Sequence, residues 1–288
     1  KAFGYLKPDR KEVVDINTVY DIASVTKVAA TTMAVMRLYE QGKIELDANL
    51  GKYLSITRGS DKEYLRIKDI LTHQAGLKSW IPFYKETLDS AGYPRNDIYS
   101  KTESLRFPYR VAPNLYMRTD WKDTMWKRIL ESPLENRGRY VYSDLDFIFL
   151  QKVVETVSQK PLDRYVYEEF YKPLGMSSTA FTPRKKLQGK EVAPSENDTY
   201  FRHQIIQGDV HDMGAAMFGG VSGHAGLFST PNDLGILFQM LLNGGVYGGK
   251  RYFQAATVNL FTSKYSLISR RALGFDKPEP NPGKGNPC

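Results

Sequence analysis

Apolar positions set the first outline of this chain. After Ser24 they recur at helical spacing through Ala29, Ala30, Met33, Ala34, Met36, Leu38 and Tyr39, with Gly42 as the stop. The same period predicts helices over Ile67 to Thr72, ending at His73-Gln74-Ala75-Gly76, over Leu145 to Val157, and over Leu162 to Phe170 beyond Pro161. A further helix is expected from about Pro231 to Leu242, closed by Asn243-Gly244-Gly245. Phe3 to Leu6 and Val13 to Tyr20 read as strand-like pieces around the turn Lys7-Pro8-Asp9-Arg10. Residues 78–135 are rich in Tyr, Pro, Arg and Trp with weak periodicity, which predicts a long, loop-rich excursion. Pro278, Pro280, Pro282 and Pro287, with Gly283 and Gly285, give the end of the chain loop composition. Few strands are in view for so many helices to pack on, so a longer domain is expected.

Composition narrows the class. Apolar residues make up 41% and charged residues 25% of 288, an ordinary globular profile for one large domain. No stretch approaches the roughly 20 apolar residues that span a bilayer. The net charge is +8, from 40 basic and 32 acidic residues, but the basic residues are scattered. The densest cluster, Arg184-Lys185-Lys186, is short, so nucleic-acid binding is not expected. Cys288 is the sole cysteine, which excludes an internal disulfide, and neither a cysteine-based catalyst nor a zinc site is expected.

Two short stretches carry candidate chemistry. In "DIASVTKVAA" Ser24 and Lys27 stand three apart, side by side on one helical face. Either Ser24 caps the helix and Lys27 meets water, or Lys27 activates Ser24. A hydroxyl needs a neighbouring base to be a nucleophile, and an amine becomes one when burial favours its neutral form. Ile22, Ala23, Val25, Val28, Ala29 and Ala30 fit a buried setting, and the helix N-terminus suits a developing oxyanion. In "GRYVYSDLDF" Tyr142 precedes a helix that Ser143 or Asp144 would cap. Tyr142 is either a packing residue, one of 19 tyrosines, or a proton relay held near an ammonium.

Together these stretches resemble the penicillin-recognising serine hydrolases, in the branch of class C beta-lactamases, D-alanyl-D-alanine carboxypeptidases and family VIII esterases. "YDIASVTKVAATTMAVMRLYEQGKIELDANLGKYL" is similar to the nucleophile helix, and "IKDILTHQAGL" to the His-Thr-Ser-Gly-Leu segment. "YVYSDLDFIFL" resembles the Tyr-x-Asn motif, and "YKPLGMSSTAF" and "GHAGLFSTPNDLGILFQMLLNGG" have counterparts in the same order. The resemblance implies an α+β fold: a sandwich lobe with an antiparallel sheet, about 1–22 and 230–288, and an all-helical lobe, about 23–229, in one domain. It implies Ser24 as acylated nucleophile, Lys27 as its base and Tyr142 as base or relay. Asp144 replaces the Asn that contacts lysine and substrate; a carboxylate there favours a charged Lys27 and repels an anionic substrate, which lowers the expectation of beta-lactam hydrolysis. His224-Ala225-Gly226 imitates the third motif, a Lys-Thr-Gly or His-Thr-Gly, but its context is that of the segment leading into a helix. The true third motif and one sheet strand are expected beyond Cys288, which would leave this chain weakly active or inactive.

His211, His224 and Gly226 are expected to line the cleft with Asp144. His73 reads as a structural hydrogen-bonder, and Tyr and Trp residues between Tyr93 and Trp126 chiefly as core with a wall of the site as the alternative. The four histidines, which include His203, have neither helical pairing nor an acidic partner pattern, so no metal is expected. Gly219, Gly220, Gly223 and Gly226 do not follow a strand in the dinucleotide pattern, so no cofactor is expected. The implied partner is a D-alanyl peptide, an ester or a beta-lactam, in the periplasm or cell envelope. The reading from another class is a non-catalytic domain that binds cell-wall peptide within a larger protein.

Overall fold

The computed structural model describes residues 1–278. The expectation for Pro280 to Pro287 lies outside the described residues.

The helix that carries Lys27 is the axis of the fold. Residues 25–40 are helical, as a π-helical stretch at Lys27–Thr32 followed by an α-helix at Met33–Glu40. Ala29, Ala30, Met33, Ala34, Val35 and Met36 are fully buried, so the helix is apolar nearly all round, as a central helix must be. The wide turn loosens the backbone ladder, and side chains serve its carbonyls. The Thr32 hydroxyl donates to the Lys27 carbonyl at 2.8 Å, and Tyr171 Oη donates to that of Ala29 at 2.9 Å. The helix Asp144–Ser158 packs beside it through Phe147, Leu150, Val153 and Val154.

A three-stranded antiparallel sheet lies at the head of this helix, in the order Tyr20–Asp21, Leu227–Ser229, Ala180–Phe181. Asp21 pairs with Phe228, and Phe181 with Leu227. The chain thus enters the turn at Ser24 directly from a strand. The predicted helix from Pro231 runs Pro231–Leu242, with Pro231 at its first position and the Thr230 hydroxyl accepting from the Asp233 amide. The helix predicted after Ile67 spans Ile67–Leu71. That over Leu162 to Phe170 divides into an α-helix, Leu162–Val166, and a π-helical stretch, Tyr167–Tyr171.

Two readings need correction. The segment 78–135 carries a sheet of its own, Tyr99–Ser100, Leu115–Met117 and Tyr109–Ala112, and an eleven-residue helix, Trp121–Glu131. Its strands are two to four residues long, too short for a legible alternation. Conversely, Phe3 to Leu6 and Val13 to Tyr20 form no continuous strands. Isolated bridges join Tyr5 to Val13 and Val19 to Val192, Tyr20 alone enters a strand, and Phe3, Val13 and Ile16 face solvent. Among the described residues no helix is long and apolar enough to cross a membrane.

Candidate active site

Ser24 stands at the mouth of the central helix and is exposed, while Lys27, one turn on, keeps 3% of its surface. The expected burial therefore holds for the lysine and not for the serine, whose neighbours Ala23 and Val25 also reach solvent. Ala23 has φ +45°, a left-handed conformation that a residue with a Cβ adopts only when held there. Asp21 does the holding. Its Oδ1 accepts from the Ala23 amide at 2.8 Å, and its Oδ2 from the His211 amide at 2.7 Å. Burial raises the Asp21 carboxyl above the usual range, and those two amides work against it.

The Lys27 ammonium has three N–H donors and uses all three. It donates to Asp144 Oδ1 at 2.6 Å, to Ser24 Oγ at 2.8 Å and to the His224 carbonyl at 3.2 Å. Its nitrogen also lies over the Tyr142 ring, 4.8 Å from the centroid. Four expected residues, Ser24, Lys27, Tyr142 and Asp144, thus meet at one nitrogen, with His224 present through its backbone. Asp144 is the first residue of its helix and spends its carboxylate on Lys27 rather than on a cap. Ser143, at the cap position, donates its hydroxyl to the Lys78 carbonyl instead. A Ser24 cap is likewise not what the hydroxyl does, since it accepts from Lys27.

The histidines acquire acidic partners that the sequence did not disclose. His224 is buried; its Nε2 meets Asp212 Oδ1 at 2.9 Å and its Nδ1 meets Ser222 Oγ at 2.8 Å. Burial works to raise the Asp212 carboxyl, but the neighbouring imidazole and the Ala215 amide hold it well below the carboxylate range. His73 is buried against Asp146, Nδ1 to Oδ2 at 2.7 Å, and its ring packs at a tilt of 46° against Tyr142 with centroids 4.6 Å apart. Burial first, then the charges of Arg271 and Lys27, push His73 down to about 2, and burial pushes Asp146 up.

His211 enters the site differently from the expectation. Its amide serves Asp21, while its exposed ring points to Glu196, 3.5 Å away. Gly226 is a backbone position. At φ +108° a Cβ would sit 2.8 Å from the Gly220 carbonyl, and the residue starts the turn into the strand Leu227–Ser229.

A small pocket of about 30 Å³ opens beside Asp144, Asp212 and His224, walled by Trp80, Ile81 and Tyr84. The aromatic wall comes from just before Tyr93, not from the expected stretch to Trp126, whose own ring packs on Phe149 and Phe218. Asp144, Asp212 and His224 bring ligand atoms within 4.8 Å of one another, a spacing that suits a cation. The Lys27 ammonium is the cation that Asp144 already serves.

The sequence profile of the Beta-lactamase family matches residues 1–276. An Escherichia coli O157:H7 protein named "Putative D-alanyl-D-alanine carboxypeptidase" is 36% identical over 278 residues, covering 90% of this chain and 58% of that protein. The chain therefore spans less than two thirds of that relative. FmtA from Staphylococcus aureus superposes with a TM-score of 0.65 at 21% identity, covering 96% of this chain and 65% of that one. The octameric penicillin-binding protein homologue from Pyrococcus abyssi gives a TM-score of 0.64 at 20% identity, covering 94% and 56%. These two likenesses establish a shared fold.

Proposed function

The chain belongs to the Beta-lactamase family, and on that premise we propose that it is a serine hydrolase domain that forms an acyl-enzyme on Ser24. The observation that carries the reading is the 2.8 Å contact between Lys27 Nζ and Ser24 Oγ on a lysine buried from water. Once one proton leaves the ammonium, the amine accepts the Ser24 proton as Oγ bonds to the substrate carbonyl carbon. The oxyanion forms at the Ser24 amide, at the head of the helix. Collapse of the tetrahedral intermediate expels an amine or alcohol, which takes the proton back. Water then attacks the acyl group with Tyr142 as base, releasing the acid and free Ser24.

The substrate class we infer is a D-alanyl amide or ester. The carboxypeptidase name of the relatives supports it. Asp144 and Asp212 line the pocket together, which disfavours a negatively charged group there, whether the carboxylate of a beta-lactam or that of a C-terminal D-alanine, and favours substrates uncharged at that end. A second reading, a peptide-binding domain without turnover, is favoured by one observation. All three Lys27 donors are engaged, so the ammonium form donates to Ser24 and accepts nothing from it.

Intact mass after incubation with a fluorophosphonate, and separately with a penicillin, separates the two. An adduct absent in Ser24→Ala is the outcome expected of the hydrolase. No adduct on folded protein, with D-alanyl peptide still bound by Ser24→Ala, leaves the binding domain.

A further inference from the structure

A second cavity, of about 300 Å³, shares no lining residue with the pocket beside Asp144. Tyr109, Arg110 and Tyr116 of the small sheet in the 78–135 segment form one wall, and Arg184, Lys185 and Asp209 face them. The charges are unequally matched. Arg110 clasps Asp209 through two bonds of 2.8 and 3.0 Å, and Arg184 approaches the same carboxylate at 3.3 Å, so two guanidiniums share one anion. Lys185 is exposed and has no carboxylate within ion-pair distance among the described residues. Glu103 is the one other carboxylate on the wall.

A fourth cation stands behind the wall. Lys122 Nζ lies over the Tyr109 ring, 3.6 Å from its centroid, and beside Gly219, which also lines the cavity. Lys122 is half-buried, and no carboxylate lies within ion-pair distance of it among the described residues. Burial pushes its amine down to about 8; Glu155 opposes this at longer range and Lys152 adds to it. A partly desolvated ammonium with only a ring for company is costly, and an arriving anion relieves that cost.

We propose that this cavity is an anion-binding site, taking a small carboxylate- or phosphate-bearing ligand whose charged group sits beside Lys185 and Arg184, with Lys122 adding its charge from behind Tyr109, and whose body rests on Tyr109 and Tyr116. The site stands apart from Ser24, and the proposal does not depend on the hydrolase reading. Asp209 is two residues from His211, whose amide shares Asp21 with that of Ala23, so the cavity wall is tied to the nucleophile turn.

The test is calorimetric titration of the full chain with inorganic phosphate and, separately, with N-acetylglycine; the probe that binds identifies the anion class. Saturable binding of either probe is expected, unchanged in Ser24→Ala and weakened about tenfold or more in Lys122→Met or Lys185→Gln at unaltered melting temperature. Lys185 is exposed, so its variant keeps the test valid even where Lys122→Met fails to fold. Absence of saturable binding of both probes to the wild-type chain, or binding that neither folded variant weakens, overturns the proposal.

Discussion

Asp144 holds the Lys27 ammonium at 2.6 Å, closer than the serine that shares the same nitrogen. The carboxylate therefore competes with Ser24 for the lysine's state. Asp144→Asn keeps an acceptor for Lys27 and removes the charge. Fluorophosphonate labelling of Ser24 is expected to quicken by about tenfold, the effect of about 1.4 kcal/mol. Slower labelling in a folded variant would show instead that the carboxylate assists the reaction. Lys27→Met should abolish labelling.

Gly223 fixes the segment that carries His224. A Cβ there would lie 2.1 Å from the Phe147 carbonyl, while the Gly223 carbonyl accepts from Thr31 Oγ1 at 2.7 Å and its amide donates to Gln151 at 2.8 Å. Gly223→Ala must move backbone apart, and a loss of about 2 kcal/mol or more is expected in chemical denaturation. The same change should slow labelling of Ser24, because the His224 carbonyl withdraws from Lys27. An unchanged denaturation midpoint would show that the Gly223 segment and the helix Asp144–Ser158 part without cost.

The His73–Asp146 pair makes stability depend on pH from both sides. Burial favours the neutral form of each, lowering His73 and raising Asp146 from their ordinary values of 6.5 and 3.8. The folded pair thus keeps a net charge of zero. Below about 3.8 the unfolded chain binds one proton more than the folded pair, so this contribution is lost as pH falls. Above about 6.5 the unfolded chain binds one fewer, so it is also lost as pH rises, with a slope of at most about 1.4 kcal/mol per pH unit. Asp146→Asn cannot give up a proton and should flatten the alkaline limb. Denaturant midpoints measured from pH 4 to 9 check this, and an alkaline limb unchanged in the variant rules the pair out as its source.

Ala23 sits at φ +45° immediately before Ser24. Ala23→Gly removes the steric conflict but adds freedom to the unfolded chain, two opposing effects of about 1 kcal/mol each. Stability should therefore change little, while labelling slows as the turn loses its fixed shape. Matched melting curves with unequal labelling rates are the expected pair of results.

The helices were legible where the chain announces its own ends. Pro231 with Thr230 before it, and Asn243-Gly244 after, bracket a helix that spans Pro231–Leu242. Ser24 and Lys27 could be paired because three residues of helix bring them together whatever surrounds them. The partners of the histidines could not. Asp146 is 73 residues from His73, and Asp212 meets His224 across a turn with no repeating spacing. The small sheet of the 78–135 segment was hidden for another reason, since its strands are too short to show an alternating pattern and are fixed by each other and by Arg110 on Asp209. The Asp21 clamp was equally silent, because the His211 amide lies 190 residues from Asp21 in sequence.

The wide turn at Lys27–Thr32 sets a phase. Each residue of an α-helix advances about 100° around its axis, so a further residue inserted into that already widened turn swings everything before it by about that angle relative to the buried Met33–Glu40 half. Ser24 and Lys27 would turn together and stay paired, yet both would leave Asp144 and the His224 carbonyl behind. The head of the helix is thus indexed to the core by the wide turn, and a single insertion within Val28 to Thr32 would carry it out of register.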